Sequence, residues 1–271
     1  MMSSNSIDKR NAIIVGLNSD IGIAIGDFLE KDGWKVFGTT RKLSAFNSAN
    51  MILDADLSDF KNIDWVAEEL NSICPSWDLL IFAAGTMKPI GAFFETDSSD
   101  FSNAFSINFI GPLRLLKGIW PHRTQQNRAN VIFFAGGGTN GPFDNFSAYG
   151  ISKVSMIKMV EFLASENPDV GFFSLGPGFV RTKIHEETLA SNERAGSNRE
   201  KTLNFLKSEG TPLLHIYNGI KWCIQNSVVG SGRNFSLQHD NLSEKSNNLI
   251  SALSINSGMY KLRRYMNNWE E

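Results

Sequence analysis

Short apolar runs alternate along this chain with segments of helical periodicity, and this alternation restricts the fold more than any other feature. Ala12-Ile13-Ile14-Val15, Lys35-Val36-Phe37-Gly38-Thr39, Met51-Ile52-Leu53, Leu79-Leu80-Ile81-Phe82-Ala83, Val131-Ile132-Phe133-Phe134, Val170 to Leu175 and Asn234 to Leu237 read as strands. Between them, Ile21, Ile25, Phe28 and Leu29, and later Ile63, Val66 and Leu70, recur at helical spacing. Further helices are expected from Phe101 to Lys117 and around Tyr149, where Val154, Ile157, Val160 and Leu163 make an apolar side. Strands that are apolar throughout need cover on both faces, and the intervening helices supply it. The expected fold class is α/β, a doubly wound parallel sheet of about seven strands with helices on both faces.

The 271 residues are read as a single domain over 1–271. A polar, charged stretch from Lys183 to Thr211 interrupts it. This is either a lid, set at about 183–212, or a solvated surface helix. Residues from about 241 to 271 form a C-terminal extension. A net charge of −2 and pI of about 6.1 give no electrostatic case for nucleic acid. Cys74 and Cys223 stand far apart with no CxxC and read as buried thiols in a reducing compartment. The polar start, Met1 to Arg10, lacks an apolar signal core, and no apolar run approaches the roughly 18 residues that span a bilayer. A soluble, cytoplasmic protein with no membrane partner is expected.

Tyr149 and Lys153 stand four apart, one turn over the other on a helix face. A free phenol titrates near ~10. A cation held beside it favours the phenolate and brings it toward the working range, so the pair could exchange a proton with an alcohol or carbonyl. After the first strand comes Gly16-Leu17-Asn18-Ser19-Asp20-Ile21-Gly22 and then a helix. Glycines there let backbone approach a pyrophosphate, and the helix N-terminus supplies N–H donors. Asp20 is expected to cap that helix. The second strand ends Thr39-Thr40-Arg41-Lys42 with no acid. Arg41 can grip a ribose 2′-phosphate bidentately, with Lys42 adding charge, so NADP is favoured over NAD. The alternative is that both are ordinary surface cations.

These residues, with Asp54-Ala55-Asp56-Leu57, Phe82-Ala83-Ala84-Gly85, Ile107-Asn108-Phe109, Ser147 to Lys153 and Pro177-Gly178-Phe179-Val180-Arg181-Thr182, resemble the short-chain dehydrogenase/reductases over about residues 11–240. The resemblance implies a Rossmann-type fold and a nicotinamide cofactor. It implies cofactor contacts at Gly16, Asn18, Ser19, Ile21 and Gly22, at Arg41, at Asp56 and Leu57 near the adenine, and at Ala83 and Gly85. Tyr149, Lys153, Pro177, Gly178, Val180 and Thr182 complete that set around the nicotinamide. The resemblance also implies Tyr149 as general acid, Lys153 lowering its pKa, and Asn108 placing a proton-relay water. It implies a homodimer or homotetramer built through the 101–117 and 149–165 helices.

The family places a Ser at the end of the fifth strand. Here that place reads Phe134-Ala135-Gly136-Gly137-Gly138-Thr139-Asn140, without a hydroxyl where one is expected. Thr139 or a backbone nest could replace it, the substrate could polarise itself, or turnover is lost and the chain is a cofactor-binding sensor or partner. The glycines could also be purely structural. Gly136 to Thr139, Arg181 to His185, Gly232 to Ser236 and Tyr260 to Arg264 are similar to a subgroup acting in surface-polysaccharide and sugar-nucleotide biosynthesis. That subgroup implies a small carbohydrate-like substrate, which a basic lid (Lys183, His185, Arg194, Arg199) suits. His185 reads as a substrate contact or a plain surface His, and no metal site is expected.

Overall fold

The computed structural model describes residues 10–41, 51–243 and 246–264. Lys42 and the end of the C-terminal extension lie outside the described residues. Seven parallel strands form one sheet: β1 (Asn11–Val15), β2 (Lys35–Thr40), β3 (Met51–Asp54), β4 (Leu79–Phe82), β5 (Asn130–Phe134), β6 (Gly171–Gly176) and β7 (Arg233–Ser236). Their order is β3-β2-β1-β4-β5-β6-β7, with Ala12 of β1 registered to Val36 of β2 and to Leu79 of β4. The chain winds outward in both directions from β1. The reversal between β1 and β4 opens a crevice at the carboxyl ends of the strands.

Neighbouring residues on a strand point to opposite faces, so each strand feeds two cores. Ile14, Ile81, Ile132 and Leu175 pack with Ile25 and Leu29 of α1 (Asp20–Lys31) on one side. Ile13, Leu80, Val131 and Phe133 pack on the other with Val66 and Leu70 of α2 (Phe60–Ile73). This is the two-sided burial that the uninterrupted apolar runs require.

The helix expected from Phe101 to Lys117 is broken into α3 (Ser98–Phe105), a π-turn over Ser106–Ile110 and α4 (Gly111–Ile119). Pro112 has no N–H to give the Asn108 carbonyl, so the α register cannot continue there. The chain widens by one residue, and the Gly111 N–H donates to the Ser106 carbonyl. α5 (Ser147–Glu166) follows β5 and carries Tyr149 in its first turn.

The Lys183–Thr211 stretch folds as α6 (Ile184–Ala190), a 3-10 turn and α7 (Ser197–Leu206), and α8 (Leu213–Gln225) then returns to the sheet. After the short α9 (Ser227–Gly230) and β7, the extension contributes α10 (Asn247–Ile255). Buried Arg233 donates to the carbonyls of Val229, Leu253, Asn256 and Met259, and Arg263 pairs with Glu161 at 2.6 Å. Two stretches taken as marks of a carbohydrate-acting subgroup therefore hold residues that tie the extension to the body. No helix among the described residues is long and apolar enough to cross a membrane.

Candidate active site

The crevice at the β1–β4 switch is built on a glycine that must be a glycine. Gly16 sits at φ +85°, and a Cβ there would stand 2.6 Å from the Ala84 backbone nitrogen. The N–H groups of Gly16 and Leu17 donate to the Thr39 carbonyl at 3.1 and 2.8 Å, binding the turn to the end of β2. Ser19, not Asp20, caps α1, its Oγ accepting from the Gly22 N–H at 3.0 Å. The Asp20 carboxylate instead accepts from the Lys183 N–H at 2.7 Å, across 163 residues of sequence. The expectation of an Asp20 cap is thus corrected: the extended residue before the first turn is Ser19. The N–H groups of Asp20 and Ile21 find no acceptor among the described residues. Such a turn at a helix N-terminus fits a pyrophosphate.

Apart from Gly22, Asn108 and the undescribed Lys42, every residue assigned from the sequence to the cofactor or to catalysis lines one cavity of about 640 Å³. Gly22 lies behind the turn, where a Cβ would fall on the Gly16 carbonyl oxygen. Arg41 and Asp56 are exposed on the lining. Asp56 accepts from Ser58 N–H and O–H at 2.8 and 2.6 Å. The Ser58 hydrogen bonds, aided by the Arg41 charge, hold its carboxyl below the usual range. Asn108 is buried and spends its amide on scaffolding. Its Oδ1 accepts from Thr86 N–H, and its Nδ2 donates to the Thr86 carbonyl and to Ser152 Oγ, at 2.9, 2.9 and 3.1 Å. These bonds commit the Asn108 side chain to the loop after β4 and to α5.

Tyr149 is 9% exposed and packs in a small apolar cluster with Met87, Ile90 and Phe146. Lys153 Nζ lies 5.7 Å from the Tyr149 ring centroid and donates to the Phe134 carbonyl at 3.0 Å. Burial, seconded by the Glu187 carboxylate, pushes the phenol up to about 12. Burial brings the ammonium down to about 8. Burial and the nearby carboxylate thus hold Tyr149 as a protonated phenol at neutral pH.

The glycine run has a steric cause. A Cβ on Gly136 would fall on the Tyr149 hydroxyl, and one on Gly137 would stand 3.2 Å from the Phe143 ring. Phe143 in turn stacks on Phe146 at 4.3 Å and meets Tyr149 edge-on at 6.3 Å. Thr139 and Asn140 line the cavity past the run.

The Lys183–Thr211 segment differs most from its sequence reading. Lys183 and His185 line the cavity; Arg194 and Arg199 do not. His185 is no plain surface His: it is half-buried, stacks on Phe179 at 4.3 Å and holds the Val180 carbonyl at 3.0 Å. The acidic residue that enters is Glu187, which accepts from the Met87 N–H at 2.7 Å and from Thr86 Oγ1. Glu187, Asn140 and Phe143 were missed. Within Glu186-Glu187 nothing in the sequence tells which carboxylate turns inward; only the packing of Ile184 against the Tyr149 cluster decides it.

A parallel sheet with a glycine turn, a free helix N-terminus and a buried Tyr–Lys pair over one cleft defines a dinucleotide-binding oxidoreductase. The model of the family described as short chain dehydrogenase matches residues 10–193, and the chain belongs to that family. Its members are NAD(P)-dependent oxidoreductases. An uncharacterized oxidoreductase of Schizosaccharomyces pombe is 24% identical over 212 residues, covering 74% of this chain and 84% of that protein. A benzil reductase ((S)-benzoin forming) of Saccharomyces cerevisiae is 23% identical over 192 residues, covering 65% and 73%. A crystal structure of a Saccharomyces cerevisiae short-chain dehydrogenase/reductase superposes with a TM-score of 0.75 at 18% identity, covering 87% of this chain and 98% of that one.

The low Lys153 pKa has a measurable consequence for the protein alone. In the folded chain Lys153 releases its proton near 8, against 10.5 when unfolded, so between these values the unfolded state binds more protons. Its charge destabilises the fold below pH 8, and that penalty fades as pH rises toward 10.5. Lys153→Met is expected to raise the denaturant midpoint at pH 7, with its advantage over the native chain narrowing by pH 10. Urea titrations at both pH values check this.

Proposed function

We propose that this chain is an NADP-preferring reductase of a carbonyl on a small, hydroxylated, sugar-like substrate, with Tyr149 as proton donor. The observation that carries it is the single cavity that joins Arg41, just past β2, to Tyr149, Lys153 and Thr139. The nicotinamide, when bound, supplies the hydride. The chain's own residues do the rest. Gly16, Asn18, Ser19 and Ile21 receive the pyrophosphate, with Gly22 packing behind them. Arg41 holds the ribose 2′-phosphate, and Asp56 and Leu57 flank the adenine. Ala83, Gly85 and Lys153 hold the nicotinamide ribose, while Pro177, Gly178, Val180 and Thr182 hold its amide.

Tyr149 gives its proton to the substrate oxygen as the carbonyl becomes an alcohol. The raised phenol pKa keeps that proton in place at neutral pH and suits the reductive direction. Thr139 takes over the hydrogen bond that a strand-end Ser would give, supported by N–H groups of the glycine bend. The relative named as a benzil reductase supports a carbonyl reductase. The α6–α7 segment serves as a lid over the substrate. Arg194 and Arg199, the cations a sugar-nucleotide diphosphate would seek, do not line the cavity, whereas the Glu187 carboxylate does. This favours a neutral sugar-like carbonyl over a nucleotide-linked one. Ile151 and Phe162, each 52% exposed on α5, support self-association through that helix.

Tyr149→Phe is expected to lower kcat by about a thousandfold while leaving the NADPH Kd within twofold, read by cofactor fluorescence. Retained turnover overturns the assignment of the acid. Arg41→Ala is expected to weaken NADPH binding about tenfold or more and NADH binding little; equal losses reject the phosphate contact. Gly136→Ser is expected not to repair the site. It displaces the Tyr149 hydroxyl and lowers kcat by about a hundredfold, and a faster enzyme would show that the pocket tolerates the missing Ser.

A further inference from the structure

The Glu187 carboxylate is the acidic group that the lid presents to the reacting end of the cavity, and the residues around it leave it partly unused. It belongs to α6, whose Ile184 packs in the same apolar cluster as Tyr149, Phe143, Phe146, Met87 and Ile90. The Met87 N–H donates to Oε2 at 2.7 Å, and the single Thr86 hydroxyl is shared between Oε1 and Oε2 at 3.2 and 3.1 Å. A carboxylate offers about four acceptor positions. Two donors therefore leave acceptor capacity, and Glu187 lines the cavity beside Tyr149. No Lys or Arg pairs with it among the described residues. Lys183, also on the lining, gives its backbone N–H to Asp20 at the α1 end, and its ammonium makes no ion pair with Glu187. Lys153 Nζ is held by the Phe134 carbonyl.

The neighbours of Glu187 make it a fixed group. Thr86 and Met87, 7% and 6% exposed, are themselves held in place, Thr86 through both backbone groups by Asn108. Met87, Phe143 and Ile184, which line the same cavity, form an apolar cluster with Tyr149, and none of the cations on the lining forms an ion pair with Glu187. A carboxylate fixed in such a wall attracts O–H and N–H donors and repels other carboxylates and phosphates.

We infer that Glu187 is the specificity-determining residue of this site: it accepts a hydrogen bond from a hydroxyl or amine adjacent to the substrate carbonyl and excludes carbonyl compounds that carry an anion there. The inference rests on the reading of the cavity as a carbonyl-reducing site and goes beyond it by naming what stands next to the reacting carbon.

Three matched probes test it: dihydroxyacetone, 2-butanone and pyruvate, each with NADPH and the full chain. In the native protein kcat/KM is expected to follow the order dihydroxyacetone, 2-butanone, pyruvate. Glu187→Gln keeps size and an acceptor for Met87 but loses the charge. It is expected to lower the dihydroxyacetone-to-pyruvate preference by about tenfold or more, roughly 1.4 kcal/mol of discrimination. If Glu187 served only to hold the lid down, all three probes would suffer alike and the ratios would stay within twofold, which overturns the inference.

The same ratios are read as dissociation constants, from quenching of bound NADPH in the Tyr149→Phe background. A Glu187-dependent preference there upholds the inference even when no probe is turned over, an outcome that refutes only the reductase reading. Dissociation constants that do not respond to Glu187→Gln refute the inference itself. A protonated amine is separated from a hydroxyl by aminoacetone: tighter binding than dihydroxyacetone, lost in Glu187→Gln, identifies the cation as the preferred donor.

Discussion

A parallel sheet buried on both faces has only its strand ends to offer a ligand. Every functional feature of this chain follows from that limit. The faces are occupied by α1 and α8 on one side and by α2, α4 and α5 on the other, so chemistry is confined to the carboxyl edge where β1 and β4 part. The close approach of Gly16 to Ala84 sets how near the two loops lie. With any side chain at Gly16 the turn would move off the sheet, and the free N–H groups of α1 would no longer face the crevice. Glycine at this point is a geometric requirement of the cleft before it is a requirement of any ligand.

At the reacting end, desolvation governs the electrostatics. Tyr149 and Lys153 are both driven toward their neutral forms by the same apolar surroundings, and the Glu187 carboxylate pushes the phenol further in that direction. The effect of a neighbouring cation on a phenol depends on both being charged, and here the ammonium is itself destabilised. In the folded chain the pair is a protonated phenol beside a lysine whose charge is weakened by burial. The α6–α7 segment completes this environment from two sides. Asp20 holds its beginning at the glycine turn, and Thr86 and Met87 hold Glu187 on the same cavity wall as Tyr149. Both anchors join residues more than 90 positions apart, which is why the segment behaves as part of the site although its composition is that of a solvated surface.

The fold was legible because it is written in periodicity. The runs at Ala12, Leu79 and Val131 have no polar interruptions, and the motifs that mark the crevice lie at strand ends where the topology needs them. What could not be read is local register and long-range pairing. The π-turn at Ser106–Ile110 follows from Pro112 lacking an N–H, yet a proline one turn into a helix also reads as an ordinary start. The Asp20 carboxylate resembles a cap in sequence, and only the distant Lys183 N–H shows that it serves another purpose. Arg233 and Arg263 carry charge that looks available to a substrate, but the carbonyls and the carboxylate they bind are brought to them by the fold alone.

The absent serine is the departure that most needs a physical account, and the packing supplies one. Gly136, Gly137 and Phe143 form a matched set with Tyr149. The hydroxyl of the tyrosine occupies the volume a side chain at 136 would fill, and the Phe143 ring lies over Gly137 and stacks on Phe146. Restoring a hydroxyl at 136 and keeping Tyr149 where it stands are therefore mutually exclusive. A serine lost by drift from an unchanged pocket would leave a gap beside the tyrosine, with lining atoms deprived of partners. Here the gap is closed by the tyrosine itself, and Thr139 lines the same cavity from further along the same loop. Gly136, Gly137, Phe143 and Tyr149 therefore pack as one unit, and a change at any one of them is felt by the others.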